Sequence, residues 1–170
     1  MTQIASHRRI LKISIAVVVV LLAAFLIWVR MQIIRSTEAS RNIWSFERAL
    51  RYYLLDHNGD LPSSMSDLLQ AYCVQEEDGD WLVALRTDID GSGSSEYLTL
   101  RNPSWFDVAW NAKAGEIGGR GEIVGRDRLA VQPSKEAPSG FDGYCRMVNA
   151  MVGRTVSDIR TRSATTIPSD

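Results

Sequence analysis

Neither proline nor glycine occurs between Met1 and Asn58. Pro removes a helix hydrogen bond and clashes with the preceding turn, and Gly loses the most backbone entropy on ordering. Without either, nothing in this stretch forbids one uninterrupted helix. No acidic residue precedes Glu38. The basic groups Arg8, Arg9, Lys12, Arg30 and Arg35 are therefore unbalanced, which suits a charged membrane face. Beyond residue 35 the balance reverses, and 14 basic groups stand against 20 acidic ones, a net of −6. An acidic outer portion lacks the electrostatic footprint of a nucleic-acid binder, and no nucleic-acid partner is expected.

Histidine and cysteine are equally scarce, with only His7, His57, Cys73 and Cys145 present. The two cysteines are far apart and not in C-x-x-C spacing, which argues against a zinc site or a thioredoxin-type motif. Spacing alone leaves both one disulfide and two separate buried thiols open. A 45% hydrophobic and 23% charged composition excludes wholesale disorder. Beyond the N-terminal segment the chain is long enough for one small globular domain.

From Ile13 to Val29 the only polar side chain is Ser14. With Ile10 and Leu11 the run approaches the roughly 20 residues that span a bilayer. Lys12 sits where it can snorkel to one interface, and Trp28 sits where an aromatic belt residue belongs. The one small-residue pair that resembles a signal-peptidase site, Ala23-Ala24, lies inside the apolar run. An uncleaved signal anchor is therefore expected, not a removed signal peptide. A core helix is disfavoured because the segment is apolar all round. The bias of Arg8, Arg9 and Lys12 over Arg30 and Arg35 orients the N-terminus to the cytoplasm.

Past the span, Ile43, Phe46, Leu50, Tyr53 and Leu54 recur at three- and four-residue steps, the apolar stripe of an amphipathic helix. Arg41, Arg48 and Arg51 fall largely off it, and Glu47 and Arg51 are spaced to pair. A single helix over residues 10–57 would be about 72 Å long. It is expected to stop at Asn58-Gly59, where Gly accepts the left-handed conformation of a C-cap, and Pro62 forbids re-entry. Ser64-Met65-Ser66-Asp67 reads as a capping box with Asp in place of Glu, starting a short helix through Leu68, Leu69 and Tyr72.

Three stretches together resemble a known family. They are Ala49-Leu50-Arg51-Tyr52-Tyr53, then Asp56-His57-Asn58-Gly59-Asp60-Leu61-Pro62, then Ser66-Asp67-Leu68-Leu69, all downstream of a hydrophobic helix. Over roughly the first 70 residues the chain is similar to type II secretion pseudopilins and the type IV pilin-like superfamily. The resemblance implies a long helix on a small antiparallel sheet and a non-enzymatic role in assembly with other subunits. One departure stands out. The family's prepilin-peptidase site, Gly followed by an aromatic residue and a Glu at the fifth mature position, has no counterpart, since no Gly precedes Gly59.

The remainder reads as strands and turns. Trp81–Arg86, Tyr97–Leu100, Phe106–Trp110 and Leu129–Val131 have strand character. Five glycines between Gly115 and Gly125 mark a loop or hairpin region. Tyr144, Val148, Val152, Val156 and Ile159 sit at helical spacing, interrupted by Gly153, a helix that the family pattern does not supply. Residues 161–170 are polar and expected to be loose. The expected fold class is α+β, with the long N-terminal helix packed on a small antiparallel sheet. The expected divisions are a cytoplasmic tail 1–9, a transmembrane helix 10–29, an extracytoplasmic (periplasmic) pilin-like domain 30–160, and a flexible tail 161–170.

Asp88, Asp90 and Glu96 surround the glycines of Asp90-Gly91-Ser92-Gly93 and offer three carboxylates to a hard cation. Some type II secretion pseudopilins hold calcium in a loop of the outer domain, so the resemblance adds to a calcium reading. The spacing is not that of an EF-hand, whose twelfth position is Thr99 here, and an ordinary solvated hairpin loop is the competing reading. Catalysis has little support: His57 sits beside Asp56 at a helix end, without a nucleophile motif. Trp44, Trp81, Trp105 and Trp110 suit a core or a protein interface. Three functions are weighed: a pseudopilin-like subunit that assembles, a stand-alone signal-anchored envelope domain, and, with least support, an anchored hydrolase or binding protein. No catalytic residue and no cofactor besides calcium is expected. The expected partners are the membrane and other pseudopilin or envelope subunits.

Overall fold

The computed structural model describes residues 2–76, 78–86 and 97–165, with side chains from Val17 onward. Helix α1 runs from Thr2 to Asp56 without a break, as the absence of Pro and Gly allows. Compactness divides the chain after Glu38, inside this helix.

In the first unit the apolar side chains have no protein to pack on. The large hydrophobics from Val17 to Trp28, with Met31, Ile33 and Ile34, are each from about half to two-thirds exposed. Among the described residues α1 is the helix long and apolar enough to cross a membrane, and its apolar window is wholly unburied. So much bare apolar surface is unfavourable in water and favourable in lipid.

The second unit begins at Ala39 and is α+β. After α1 come α2 (Met65–Tyr72), β1 (Cys73–Gln75), β2 (Trp81–Ala84), β3 (Tyr97–Leu100), β4 (Phe106–Val108), β5 (Val131–Pro133) and α3 (Asp142–Thr165). The first three strands form an antiparallel sheet in the order β1-β2-β3, and β4 and β5 form a second antiparallel pair. The stripe read from the sequence is the centre of the core: Ile43, Phe46, Leu50, Tyr53 and Leu54 are all buried. Phe46 stacks on Phe106 with ring centroids 3.8 Å apart, and Phe106 meets Phe141 at 5.3 Å. Each such side chain contributes roughly 1.5–3 kcal/mol by leaving water.

Polar residues dock α1 on the edge of β3. The Asn42 Oδ1 accepts from the Arg101 N–H at 2.8 Å, and the Ser45 hydroxyl donates to the Thr99 carbonyl at 2.7 Å. Both side chains are buried, and both satisfy backbone groups that an edge strand leaves over. A third buried polar side chain, the amide of Asn149 in α3, does the same for β5. Its Oδ1 accepts from Val131 N–H at 2.9 Å, and its Nδ2 donates to the Val131 carbonyl at 2.7 Å and the Cys145 carbonyl at 2.8 Å. A side chain thus takes the place of a neighbouring strand.

Several boundaries differ from the sequence reading. β2 ends at Ala84, not Arg86, because the Arg86 N–H donates to the Tyr52 hydroxyl at 3.0 Å and leaves the ladder. β4 ends at Val108, where Asn111 turns the chain at φ 63° and Ala109 N–H bonds to Ala130 instead. β5 lies two residues later than expected, at Val131–Pro133. β1 was not foreseen, since its three residues come directly after α2. Gly153 does not interrupt α3, which continues through Thr165, so part of the stretch expected to be loose is helical. Glu47 meets Arg48, at 3.7 Å, where Arg51 was the expected partner.

Candidate functional site

The motif at the end of α1 is densely bonded and brings several ionisable side chains together. The helix closes with Gly59 N–H donating to the Leu54 carbonyl at 2.7 Å, five residues back, while Asn58 (φ 54°) and Gly59 (φ 87°) take the left-handed conformation. That is a Schellman-type end with Asn58 at the position Gly usually fills. The next residues are stitched to a distant loop. Leu61 N–H donates to the Ala112 carbonyl at 2.9 Å, and Asn111 N–H donates to the Pro62 carbonyl at 3.0 Å. Asp60 accepts from the Ala114 N–H at 2.8 Å and from the Lys113 ammonium at 2.9 Å. Arg160 of α3 donates to the carbonyls of Ala114 and Ile117, the latter at 2.8 Å.

The other carboxylates here are also committed. Asp56 accepts from Tyr72 Oη at 2.8 Å and from Arg86 at 2.7 Å. Ser64 caps α2 as expected, accepting from Asp67 N–H at 3.1 Å. The return bond of the capping box goes one residue further, from the Ser63 N–H to Asp67 at 3.0 Å, and Tyr53 Oη adds another donor at 3.1 Å. His57 stacks on Tyr53 at 3.8 Å, and its Nδ1 lies 3.0 Å from the Tyr53 carbonyl, so that nitrogen carries the proton. The arrangement is a clamp that fixes the helix end, not a nucleophile beside a base.

The electrostatics arise from these bonds. Burial pushes the Asp56 carboxyl up, but the Arg86 guanidinium and Tyr72 hydroxyl outweigh it and hold it below the ordinary carboxylate range. At Asp60 burial is likewise outweighed by the Ala114 N–H and Lys113. Asp67 is held down chiefly by the N–H and hydroxyl of Ser63. Burial raises Tyr53 and Tyr72, helped by their hydrogen bonds to Asp67 and Asp56. Carboxylates with depressed native values stabilise the fold above their unfolded pKa of about 4, and that contribution is lost as pH falls through the native values. The melting temperature is therefore expected to be flat from about pH 7 to 5 and to drop below about pH 4. Asn at Asp56, Asp60 and Asp67 together should flatten that drop; an unchanged acid limb in the triple variant would remove these residues as its cause.

The cysteines are free thiols, Cys73 half-buried and Cys145 buried. Burial pushes both up to about 12, with Asp142 adding to the rise at Cys145, so neither is a ready nucleophile. Asp88, Asp90 and Glu96, the residues read as a calcium loop, lie outside the described residues. Among the described residues no three His, Cys, Asp or Glu side chains are grouped to hold a metal ion. Trp81, Trp105 and Trp110 pack partly buried against the core, whereas Trp44 is 48% exposed. It lines a groove of about 320 Å³ with Arg41, Ser45, Tyr97, Leu98 and Thr99. The sequence reading missed this groove, along with Asn42 and Asn149. The signal available was polar Asn42 and Ser45 on the same side of α1 as its apolar stripe.

No protein-family model, curated protein or solved structure matches the chain.

Proposed function

We propose that this chain is a non-enzymatic, membrane-anchored subunit of the pseudopilin kind, working by assembly with other subunits in a type II secretion or pilus-like machine. The observation that carries the proposal is the change of character along α1. The helix carries bare apolar side chains between Val17 and Ile34 and forms the heart of a folded domain from Ala39 onward. An element that is both anchor and core ties the domain covalently to the bilayer. The clamp at Asp56–Pro62, where the family resemblance lies, secures the other end of the same helix. In this reading the N-terminus is cytoplasmic and the domain periplasmic, as the Arg8, Arg9 and Lys12 bias suggests. The second reading, a stand-alone anchored envelope domain, is favoured by one observation, that residues 1–58 contain no Gly and so no Gly-aromatic pair of the family's pattern.

Two measurements on membranes test both layers. After alkaline extraction the full 19.0 kDa chain is expected in the pellet; a soluble product starting near Phe25 would overturn the anchor. When tagged and untagged copies are extracted together in mild detergent, the untagged copy should co-purify with the tagged one. Recovery of single copies would favour the stand-alone domain.

A further inference from the structure

The assembly reading leaves open which surfaces meet. The second unit carries two unlike patches on opposite edges of its three-stranded sheet. One is the groove between α1 and the edge strand β3, where Trp44 is 48% and Tyr97 56% exposed and Arg41 lies open to solvent. Arg41 and Trp44 are the exposed residues of α1 here, and Arg41 is the charged side chain of the groove, whereas Arg48 is half-buried and paired with Glu47 at 3.7 Å. An exposed tryptophan beside an arginine is the composition of an interface anchor. The other patch lies at β1, the far edge of the sheet. There Val74 is 65% exposed, and Glu76 and Asp78 are exposed just beyond it. Glu76 is held by a tight turn, its N–H donating to the Asp80 carbonyl at 2.8 Å and its carbonyl accepting from Gly79 at 3.0 Å.

We propose, on the basis of the assembly reading, that the Arg41–Trp44–Tyr97 groove of one copy receives the Val74–Glu76–Asp78 edge of another. The match is apolar with apolar and basic with acidic. Val74 would cover the faces of Trp44 and Tyr97 while Glu76 and Asp78 approach Arg41. A domain with a net charge of −6 beyond residue 35 otherwise repels its own kind, so a basic groove gives one orientation an advantage over the rest. Since groove and edge are different surfaces on opposite sides of the sheet, the contact is heterologous. Each copy that donates its edge keeps its own groove open, and association continues into a chain or ring and does not stop at two.

The test is photo-crosslinking of the full-length chain in membranes, with p-benzoylphenylalanine in place of Trp44, and separately in place of Trp28 as a reference for any copy-to-copy proximity. From position 44 the expected product is a dimer whose crosslinked peptide contains Val74 to Asp78. Arg41→Glu should lower its yield about five-fold, as should Glu76→Arg with Asp78→Arg. Mixing the two kinds of copy should restore it, because each kind of groove then finds an edge of opposite charge, the altered groove on the altered edge and the unaltered groove on the unaltered one. Near-UV circular dichroism checks that each variant stays folded. Crosslinks from position 28 with none from 44, a different peptide captured from 44, or no recovery on mixing would overturn this interface while the assembly reading stands. No copy-to-copy product from either position would overturn both.

Discussion

Leu50→Asp is expected to destabilise the folded unit by more than about 4 kcal/mol, whereas Arg51→Asp should cost less than about 1 kcal/mol. Leu50 is fully buried, in the middle of the stripe formed by Ile43, Phe46, Tyr53 and Leu54. Truncating such a leucine to alanine alone costs roughly 2–5 kcal/mol, and a carboxylate adds the penalty of an unpaired buried charge. Small domains hold only about 5–15 kcal/mol in total, so the variant should be largely unfolded at moderate temperature. Arg51 is the next residue along but faces outward, half-buried beside Arg154 and Asp158. Near-UV circular dichroism on heating, in micelles, reports the packing of Trp81, Trp105 and Trp110 in the folded unit. Equal midpoints for the two variants would mean that the inward side of α1 has been misassigned.

Gly153→Ala should be nearly as damaging, against the usual preference of helices for alanine. A Cβ at position 153 would lie 2.3 Å from the Gly119 carbonyl oxygen, 2.5 Å from its carbon and 2.8 Å from the Gly121 nitrogen. All three are backbone atoms and cannot rotate away. The reverse side of the contact is equally tight, because a Cβ on Gly121 would sit 2.5 Å from the backbone carbonyl oxygen of Asn149. Relieving the clash means lifting α3 off the Gly118–Gly121 segment, and with it the Asn149 amide from Val131. Overpacking of this kind costs roughly 1–3 kcal/mol, and more where a buried amide loses its partners. Gly143, in the same helix, provides the control, since nothing lies within 4 Å of its Cβ position. Gly143→Ala is expected to leave the melting temperature unchanged or raise it slightly. If Gly153→Ala behaves like Gly143→Ala, the close approach of loop and helix is wrong.

Much of α1 was determined locally. A residue's exposure along a helix depends on a 3.6-residue period, so the stripe Ile43–Leu54 and the apolar run Ile13–Val29 could be read directly. The helix stop at Asn58-Gly59 and the Ser64 cap of α2 are equally local, because each depends on the conformational limits and hydrogen-bonding reach of one or two residues. β1, the true ends of β2 and β4, and the position of β5 were not legible, since short strands are defined by partners far away in the chain. Gly153 illustrates the difference best. In sequence it is a helix-weakening residue, and only the backbone of Gly119 lying against α3 turns it into a requirement. The groove belongs to the same class. Arg41 reads as an off-stripe residue and Trp44 as a core or interface one, but they become a candidate site only because Asn42 and Ser45 bond the helix to β3 and bring Tyr97 alongside. Sequence determined which surfaces of α1 are apolar and where it ends. Tertiary structure alone decided what those surfaces meet, because contacts between distant segments depend on how backbones pack and not on any local period.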